Sequence, residues 1–305
     1  MHPILFEIPG INFPLRSFGL MVMIGFLVGS HFLTRWGARG AAKPETVVEG
    51  YAALPMWILV GIIAGARAMY VVVEVLRGDA VGQKFIDDPM SMLFVWEGGL
   101  VMYGGAIGGI LGAWWCTNKH KLAFSHAMDL GVTAAFLGLA FGRVGCLLVG
   151  DDFGSVVPEA QASLPFPITI RVPEVLAEHS LFGEENAGKV LWCTQIWMSL
   201  NALMLFFIGR FWLLPRRRFG GQVAGTLLFL YSFGRFGIEI FRGDAIRGVW
   251  FEGMVSTSQL ISIVVALITG SYLLLRLTQR QTPEQIGGFA PGQVPPGPDA
   301  EAEAE

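Results

Sequence analysis

A chain of 305 residues in which 53% are hydrophobic and 15% charged, with a mean hydropathy of +0.56, is too apolar for an ordinary soluble domain and reads as a polytopic membrane protein. Its formal net charge of -3 averages a tail and loops of opposite sign, and gives no reason to expect a nucleic-acid partner. The three cysteines, Cys116, Cys146 and Cys193, suggest no disulfide framework, and no pair has metal-ligand spacing, so no metal is expected.

The opening MHPILFEIPGINFPLRS has no basic n-region and no small-residue cleavage site, so it reads as an outer segment leading into a retained helix. A span needs about 20 mostly apolar residues. Seven stretches reach or approach that length, residues 17–36, 47–76, 98–117, 125–149, 189–214, 222–241 and 255–277, which predicts an all-α bundle of seven transmembrane helices. The second is long enough to tilt or to begin on the membrane surface, and Pro55 is a potential kink. The only long connection, residues 150–188, is broken by Pro158, Pro165, Pro167 and Pro173. It is expected to form a small periplasmic cap with a short strand over 166–172. Residues 281–305, ending in PPGPDAEAEAE, read as a disordered acidic tail. The organisation is therefore a membrane domain over 1–280 followed by that tail.

Alternate connections separate by charge. One set carries Arg35, Arg39, Lys43, Lys119, Lys121, Arg210, Arg216, Arg217, Arg218, Arg276 and Arg280; the other carries Arg16, Arg77, Lys84, Arg171, Lys189, Arg242 and Arg247 with acids interleaved. Short basic connections stay in the cytoplasm, so the N-terminus is expected outside and the C-terminus inside. Of the 21 Lys and Arg residues, the two sets leave Arg67, Arg143 and Arg235, each inside a predicted span and about 9–15 Å from its outer end.

A membrane-depth arginine costs roughly 2.5–3.5 kcal/mol on insertion scales, so each needs a partner. Helical spacing aligns Arg67 with Tyr70 and Glu74, Arg143 with Cys146 and Gly150, and Tyr231 with Arg235, Glu239 and Arg242. Tyr103 and Gln195 fall at similar depth. Pairing with Glu74 and Glu239 is one reading, and Gly104, Gly105, Gly108, Gly109 and Gly112 suit tight helix crossings. Three arginines against two acids leave positive charge over, which implies an anion. The planar arginine fork suits phosphate, and Gly142, Gly145 and Gly150 would let a headgroup approach the backbone. The residues thus predict a phosphate-binding cavity opening to the outer leaflet, with Arg143 and Arg235 at its centre.

At these residues the chain resembles the phosphatidylglycerol–prolipoprotein diacylglyceryl transferases. The family signature G-R-x-G-N-x-x-N-G-E-x-x-G is similar to Gly142-Arg143-Val144-Gly145-Cys146-Leu147-Leu148-Val149-Gly150-Asp151-Asp152-Phe153-Gly154. The likeness includes Trp96-Glu97-Gly98-Gly99 followed by Gly104-Gly105, the pair Arg67 and Tyr70, and Tyr231, Arg235, Glu239 and Arg242, over most of residues 15–280. The resemblance implies transfer of diacylglycerol from phosphatidylglycerol to the lipobox cysteine of a prolipoprotein, in the bacterial inner membrane and without a cofactor. Partners would be phosphatidylglycerol, the prolipoprotein signal peptide and membrane lipid. Arg143, Arg235, Tyr103 and Tyr231 become the expected catalytic residues. Arg143, Arg235, Arg67, Gln195, Asp151, Glu239, Gly142, Gly145, Gly150 and Gly154 become the expected substrate contacts, with Asp151 or Glu239 orienting an arginine.

The chain departs from the pattern at named positions. Tyr103 stands for a family histidine, Cys146 and Val149 for two amides, Asp151 for a longer glutamate, and Phe18 for a tyrosine; of H-P-x-Q-x-Y-E only Gln195 remains. Cys146 reads either as the carrier of a covalent lipid intermediate or as an inert small residue. Two other functions stay open: a diverged paralogue with a different acceptor, and a non-catalytic phospholipid-binding protein.

Overall fold

The computed structural model describes residues 2–8, 13–39, 44–243, 248–250 and 255–293. In chain order these form β1 (Ile4–Ile8), β2 (Phe13–Arg16), α1 (Ser17–Arg39), α2 (Pro44–Arg77), α3 (Ala80–Asp87), α4 (Met102–Lys119) and α5 (Phe124–Val149). There follow β3 (Thr169–Arg171), β4 (Val190–Trp192), α6 (Thr194–Phe207), a π-helical turn (Ile208–Leu213), α7 (Leu214–Arg216), α8 (Gln222–Glu239), β5 (Val249–Trp250), β6 (Val255–Ser256), α9 (Thr257–Leu275) and α10 (Pro283–Ile286). Consecutive strands pair antiparallel as β1–β2, β3–β4 and β5–β6. Lys43, Arg247 and the tail beyond residue 293 lie outside the described residues.

Five helices are long and apolar enough to cross a membrane: Ser17–Arg39, Val47–Arg77, Phe124–Val149, Thr194–Arg216 and Thr257–Leu275. The chain is thus a mostly helical membrane protein. The other two expected spans, α4 and α8, have 18 residues each, about 27 Å of helix. They are diluted by glycines in α4 and by Gln222, Arg235 and Glu239 in α8. Two boundaries are corrected. The third span begins at Met102 rather than at 98, because Gly98 and Gly99 stand at φ +88° and +73°, outside helical backbone. The fifth span begins at Thr194 rather than at 189, because Val190–Trp192 is spent on pairing with β3.

The chain divides into two compact units, one of Met1–Phe32, Asp129–Thr282 and Pro291–Glu305, the other of Leu33–Met128 and Pro283–Ala290. In the second, α2 and α4 cross on glycine. A Cβ at Gly61 would stand 2.2 Å from the Gly108 carbonyl oxygen, and one at Gly65 would stand 2.3 Å from that of Gly104. Backbone contact this close gives dispersion energy where lipid removes any hydrophobic drive between helices. Helix α2 runs on through Pro55. Proline has no N–H for the Tyr51 carbonyl, and Thr34 Oγ1 donates to that oxygen instead, at 3.3 Å.

In the first unit, α1 and α5 meet at Gly25 and Gly138, and α8 packs on α6 and α9. The start of α8 has no cap of its own, since Gly221 carries no side chain and sits at φ +84°. Asp129 of α5 supplies one: its carboxylate accepts from Gly221 N at 3.1 Å, Ala224 N at 2.9 Å and Arg217 Nη1 at 3.4 Å. Negative charge at a helix N-terminus is favourable, so α8 is held in register by a residue of another helix. The long connection forms the β3–β4 pair over a core of Val172, Phe182 and Leu191, with Phe153, Ile170 and Leu176 against it. The expected strand over 166–172 is present at its centre.

Candidate phosphate site

Arg143 lies on the last turns of α5, and the chain reverses just beyond it. Gly150, at φ +81°, ends the helix in a left-handed residue, and the N–H groups of Gly150 and Asp151 both donate to the Cys146 carbonyl at 2.9 Å. Asp152 follows at φ +54°, a conformation that aspartate tolerates better than bulkier residues. The reversal brings the Asp152 carboxylate back onto Arg143. A second strand of chain closes on the same loop: Gly154 and Arg242 form a bridge, Ser155 N donates to Phe241 O at 2.7 Å, and Gly243 N donates to Phe153 O at 3.2 Å.

Five charged side chains alternate in sign through this region. Arg143 Nη1 donates to Asp152 Oδ2, and Arg242 Nη2 donates to Asp152 Oδ1. Arg242 Nη1 is 3.9 Å from Glu239 Oε2, which lies 3.0 Å from Arg235 Nη2. Arg235 also donates to Ser258 Oγ and to Met198 Sδ, each at 3.1 Å. Thioether sulfur is a weak acceptor. Burial works to raise the Asp152 carboxyl, but Arg143, Arg242 and Arg235 together hold it below the ordinary carboxylate range. Asp152 is therefore ionised at neutral pH.

The start of α6 pins the loop backbone. Thr194 Oγ1 donates to Asp152 O at 2.8 Å, and Gln195 Nε2 donates to Asp151 O at 3.0 Å. Tyr231 lies in electrostatic reach of both Arg143 and Arg235, its ring 5.3 Å from that of Phe136. Two buried polar atoms, Arg143 Nε and Gln195 Oε1, have no hydrogen-bond partner among the described residues. Groups like these carry a desolvation cost unless a ligand meets them.

Several expectations are revised. Helical spacing aligns Arg67 with Glu74, but Glu74 pairs with Arg77 at 3.0 Å. The Arg67 guanidinium donates instead to backbone carbonyls, those of Met92 at 2.8 Å, Gly98 at 2.6 Å, Gly99 at 3.3 Å and Ser91 at 2.9 Å. It also lies 5.5 Å from the Tyr70 ring centroid and 5.3 Å from that of Phe85. The Arg67–Tyr70 and Gly98–Gly99 motifs thus serve each other, tying the short 3₁₀ turns over 89–97 and the glycines after them to α2. Arg67 and the half-buried Tyr103 belong to the second unit, Arg143 and Arg235 to the first.

The bridging carboxylate is Asp152 rather than Asp151, whose Oδ1 accepts from Asp152 N at 2.8 Å. The glycines also separate. A Cβ at Gly145 would press on Met21 and Phe18, one at Gly150 on the Phe182 ring at 2.2 Å, and one at Gly154 on Trp192 O at 2.4 Å. Gly142 has nothing within 4 Å. Close approach at the first three is therefore to protein, and Gly142 alone of the four leaves room for a headgroup. Sequence reasoning missed Asp152; Arg242 lies past the end of α8, in the connection where the charge pattern put it, and continues the stripe through Tyr231, Arg235 and Glu239.

Cys146 Sγ is 3.8 Å from both Arg143 Nη1 and Asp152 Oδ2, so opposite charges flank the thiol. Burial pushes the Cys193 thiol up to about 11, which leaves it inert at neutral pH. Among the described residues no three of His, Cys, Asp and Glu cluster to hold a metal.

The chain is a mostly helical membrane protein with a buried cluster of guanidinium and carboxylate groups. The family model described as Prolipoprotein diacylglyceryl transferase matches residues 3–275, and the chain belongs to that family. It is 29% identical over 290 residues to phosphatidylglycerol–prolipoprotein diacylglyceryl transferase 2 of Clostridium perfringens, covering 94% of this chain and 99% of that one. It is 29% identical over 271 residues to the phosphatidylglycerol–prolipoprotein diacylglyceryl transferase of Geobacter sulfurreducens, covering 88% and 92%. A protein of the same name from Gloeobacter violaceus is 27% identical over 285 residues, covering 92% and 95%.

Proposed function

We propose that this chain transfers the diacylglyceryl group of phosphatidylglycerol to the cysteine thiol of a prolipoprotein, releasing glycerol phosphate. The observation that carries the site is the gathering of Arg143, Arg235 and Arg242, with Arg143 Nε lacking an acceptor among the described residues. In the reaction the cysteine sulfur bonds to the glyceryl carbon, the carbon–oxygen bond to phosphate breaks, and the thiol proton passes to water at the membrane surface. Charge grows on the departing phosphate, and fixed guanidinium donors stabilise it most where water is scarce. Arg143 and Arg235 are the catalytic cations, with Arg242 beside them. Tyr231 is a hydrogen-bonding group for the headgroup, and the Gln195 Oε1 acceptor suits a glycerol hydroxyl.

The finer topology belongs to the same proposal. Helices α4 and α8 complete a seven-span bundle, with the N-terminus periplasmic and the C-terminus cytoplasmic on the charge pattern of the connections. Residues 1–280 make the membrane domain and 150–188 cap it on the periplasmic side; the cytoplasmic segment expected to be disordered from 281 is instead ordered at its start, where α10 buries Ile286 and Ala290 is also buried. Arg67 holds the Ser91–Gly99 loop in place rather than binding phosphate.

Tyr103 in the place of histidine favours a second reading, in which the same lipid site serves another acceptor. Purified protein given labelled phosphatidylglycerol with and without a lipobox peptide separates the two. Label transferred to the peptide thiol supports the first. Glycerol phosphate released only with some other acceptor supports the second, and no lipid turnover at all rejects both.

A further inference from the structure

The carboxylate of Asp152 sits in the guanidinium site in the manner of a small anion. Its two oxygens reach two different arginines, Oδ2 to Arg143 and Oδ1 to Arg242, as two oxygens of a phosphate would. We propose that Asp152 is a positioning residue, an internal anion that holds Arg143 and Arg242 together and is exchanged for the phosphate of the lipid, an inference that rests on the function proposed above.

Three features support exchange rather than a permanent clasp. First, the backbone carbonyls of Asp151 and Asp152 are fixed by Gln195 and Thr194, so the loop stays while rotation about χ1 can carry the carboxylate away. Second, the Asp152 side chain is 21% exposed against 11% for Arg143 and 7% for Arg242. It is the most exposed member of the trio. Third, the carboxylate leaves donors unmet. Arg143 Nε has no acceptor among the described residues, and Arg235 Nη1 rests on the sulfur of Met198. A phosphate offers more oxygens than a carboxylate and can meet donors that Asp152 cannot.

The two anions oppose each other. With the site empty, Asp152 neutralises guanidiniums that would otherwise repel one another, and keeps them in place for the lipid. Once phosphate enters, the carboxylate beside it is a like charge that weakens its hold. The product carries more negative charge than the substrate phosphodiester, so the repulsion falls hardest on glycerol phosphate and speeds its release.

The test uses the full chain in detergent and in lipid nanodiscs. Calorimetric titration with glycerol phosphate, which needs no turnover, is run on wild type, Asp152→Asn, Asp152→Ser, Asp152→Glu and Arg143→Ala. The KM for phosphatidylglycerol in nanodiscs separates headgroup binding from binding of the free monoester. Exchange predicts that Asp152→Asn and Asp152→Ser each bind glycerol phosphate at least about tenfold more tightly than wild type, with a smaller fall in KM. Asp152→Glu stays near wild type, and Arg143→Ala loses binding. Weaker or unchanged binding in both neutral variants, with binding still lost in Arg143→Ala, overturns the exchange and leaves the phosphate site standing. Undiminished binding in Arg143→Ala removes the phosphate site itself and the exchange with it.

Discussion

Arg242 Nη2 donates to Asp152 Oδ1 across 90 residues of sequence, joining the loop after α5 to the connection that follows α8. Through that contact Arg143 and Arg235, on separate helices, enter one string of alternating charge. On the function proposed above, the lipid phosphate would enter between cations already balanced in part by carboxylates.

The Asp152 pairing has a definite pH signature. Its carboxyl is buried, which alone would raise its titration, yet Arg143, Arg242 and Arg235 hold it below the usual range; Cys146 and Asp151 are its other titratable neighbours. A carboxyl depressed in the folded state stabilises fully above its unfolded value of about 3.9, and the contribution fades as pH falls towards the folded value. Thermal unfolding in detergent should therefore show Asp152→Asn less stable than wild type at pH 5–7, the two converging below about pH 4. A gap that persists unchanged to pH 2 would assign the loss to packing.

Arg67 is expected to be structural. Arg67→Ala frees the carbonyls of Ser91, Met92, Gly98 and Gly99 at once, and hydrogen bonds to charged groups are worth about 1.5–3 kcal/mol each. The variant should lose at least about 3 kcal/mol of stability and open the 89–99 segment to protease. Should it instead keep its thermal stability while losing affinity for phosphatidylglycerol, Arg67 would return to the lipid site.

Cys146 is expected to be a packing residue beside the charges. Cys146→Ser should keep activity within about threefold, since it preserves size and a hydrogen-bonding group. Intact-mass spectrometry of wild type after incubation with phosphatidylglycerol should show no added mass. An adduct of diacylglyceryl mass that disappears in Cys146→Ser would make the thiol a covalent carrier.

What the sequence made legible follows from range of interaction. The helices α1, α2, α5 and α9 emerge close to their expected bounds because length and hydropathy are local properties. The start of α6 was misplaced because Val190, Leu191 and Trp192 suit a strand as well as a span, and the partner that decides is Thr169–Arg171. The stripes through Arg143 and Arg235 could be read from helical spacing. Asp152 could not, because its contact depends on the left-handed turn at Gly150. The partners of Arg67 were hidden for another reason: they are backbone oxygens, which no residue type announces.

The central claim is that Arg143 and Arg235 stabilise the phosphate leaving a membrane lipid. Its most direct measurement is the rate of diacylglyceryl transfer from labelled phosphatidylglycerol to a lipobox peptide by Arg143→Ala and Arg235→Ala, each purified from the membrane at wild-type yield. Loss of one preorganised donor to developing charge predicts a fall of about 10²–10³-fold or more in kcat for each variant. Turnover within a few-fold of wild type in either would contradict the account.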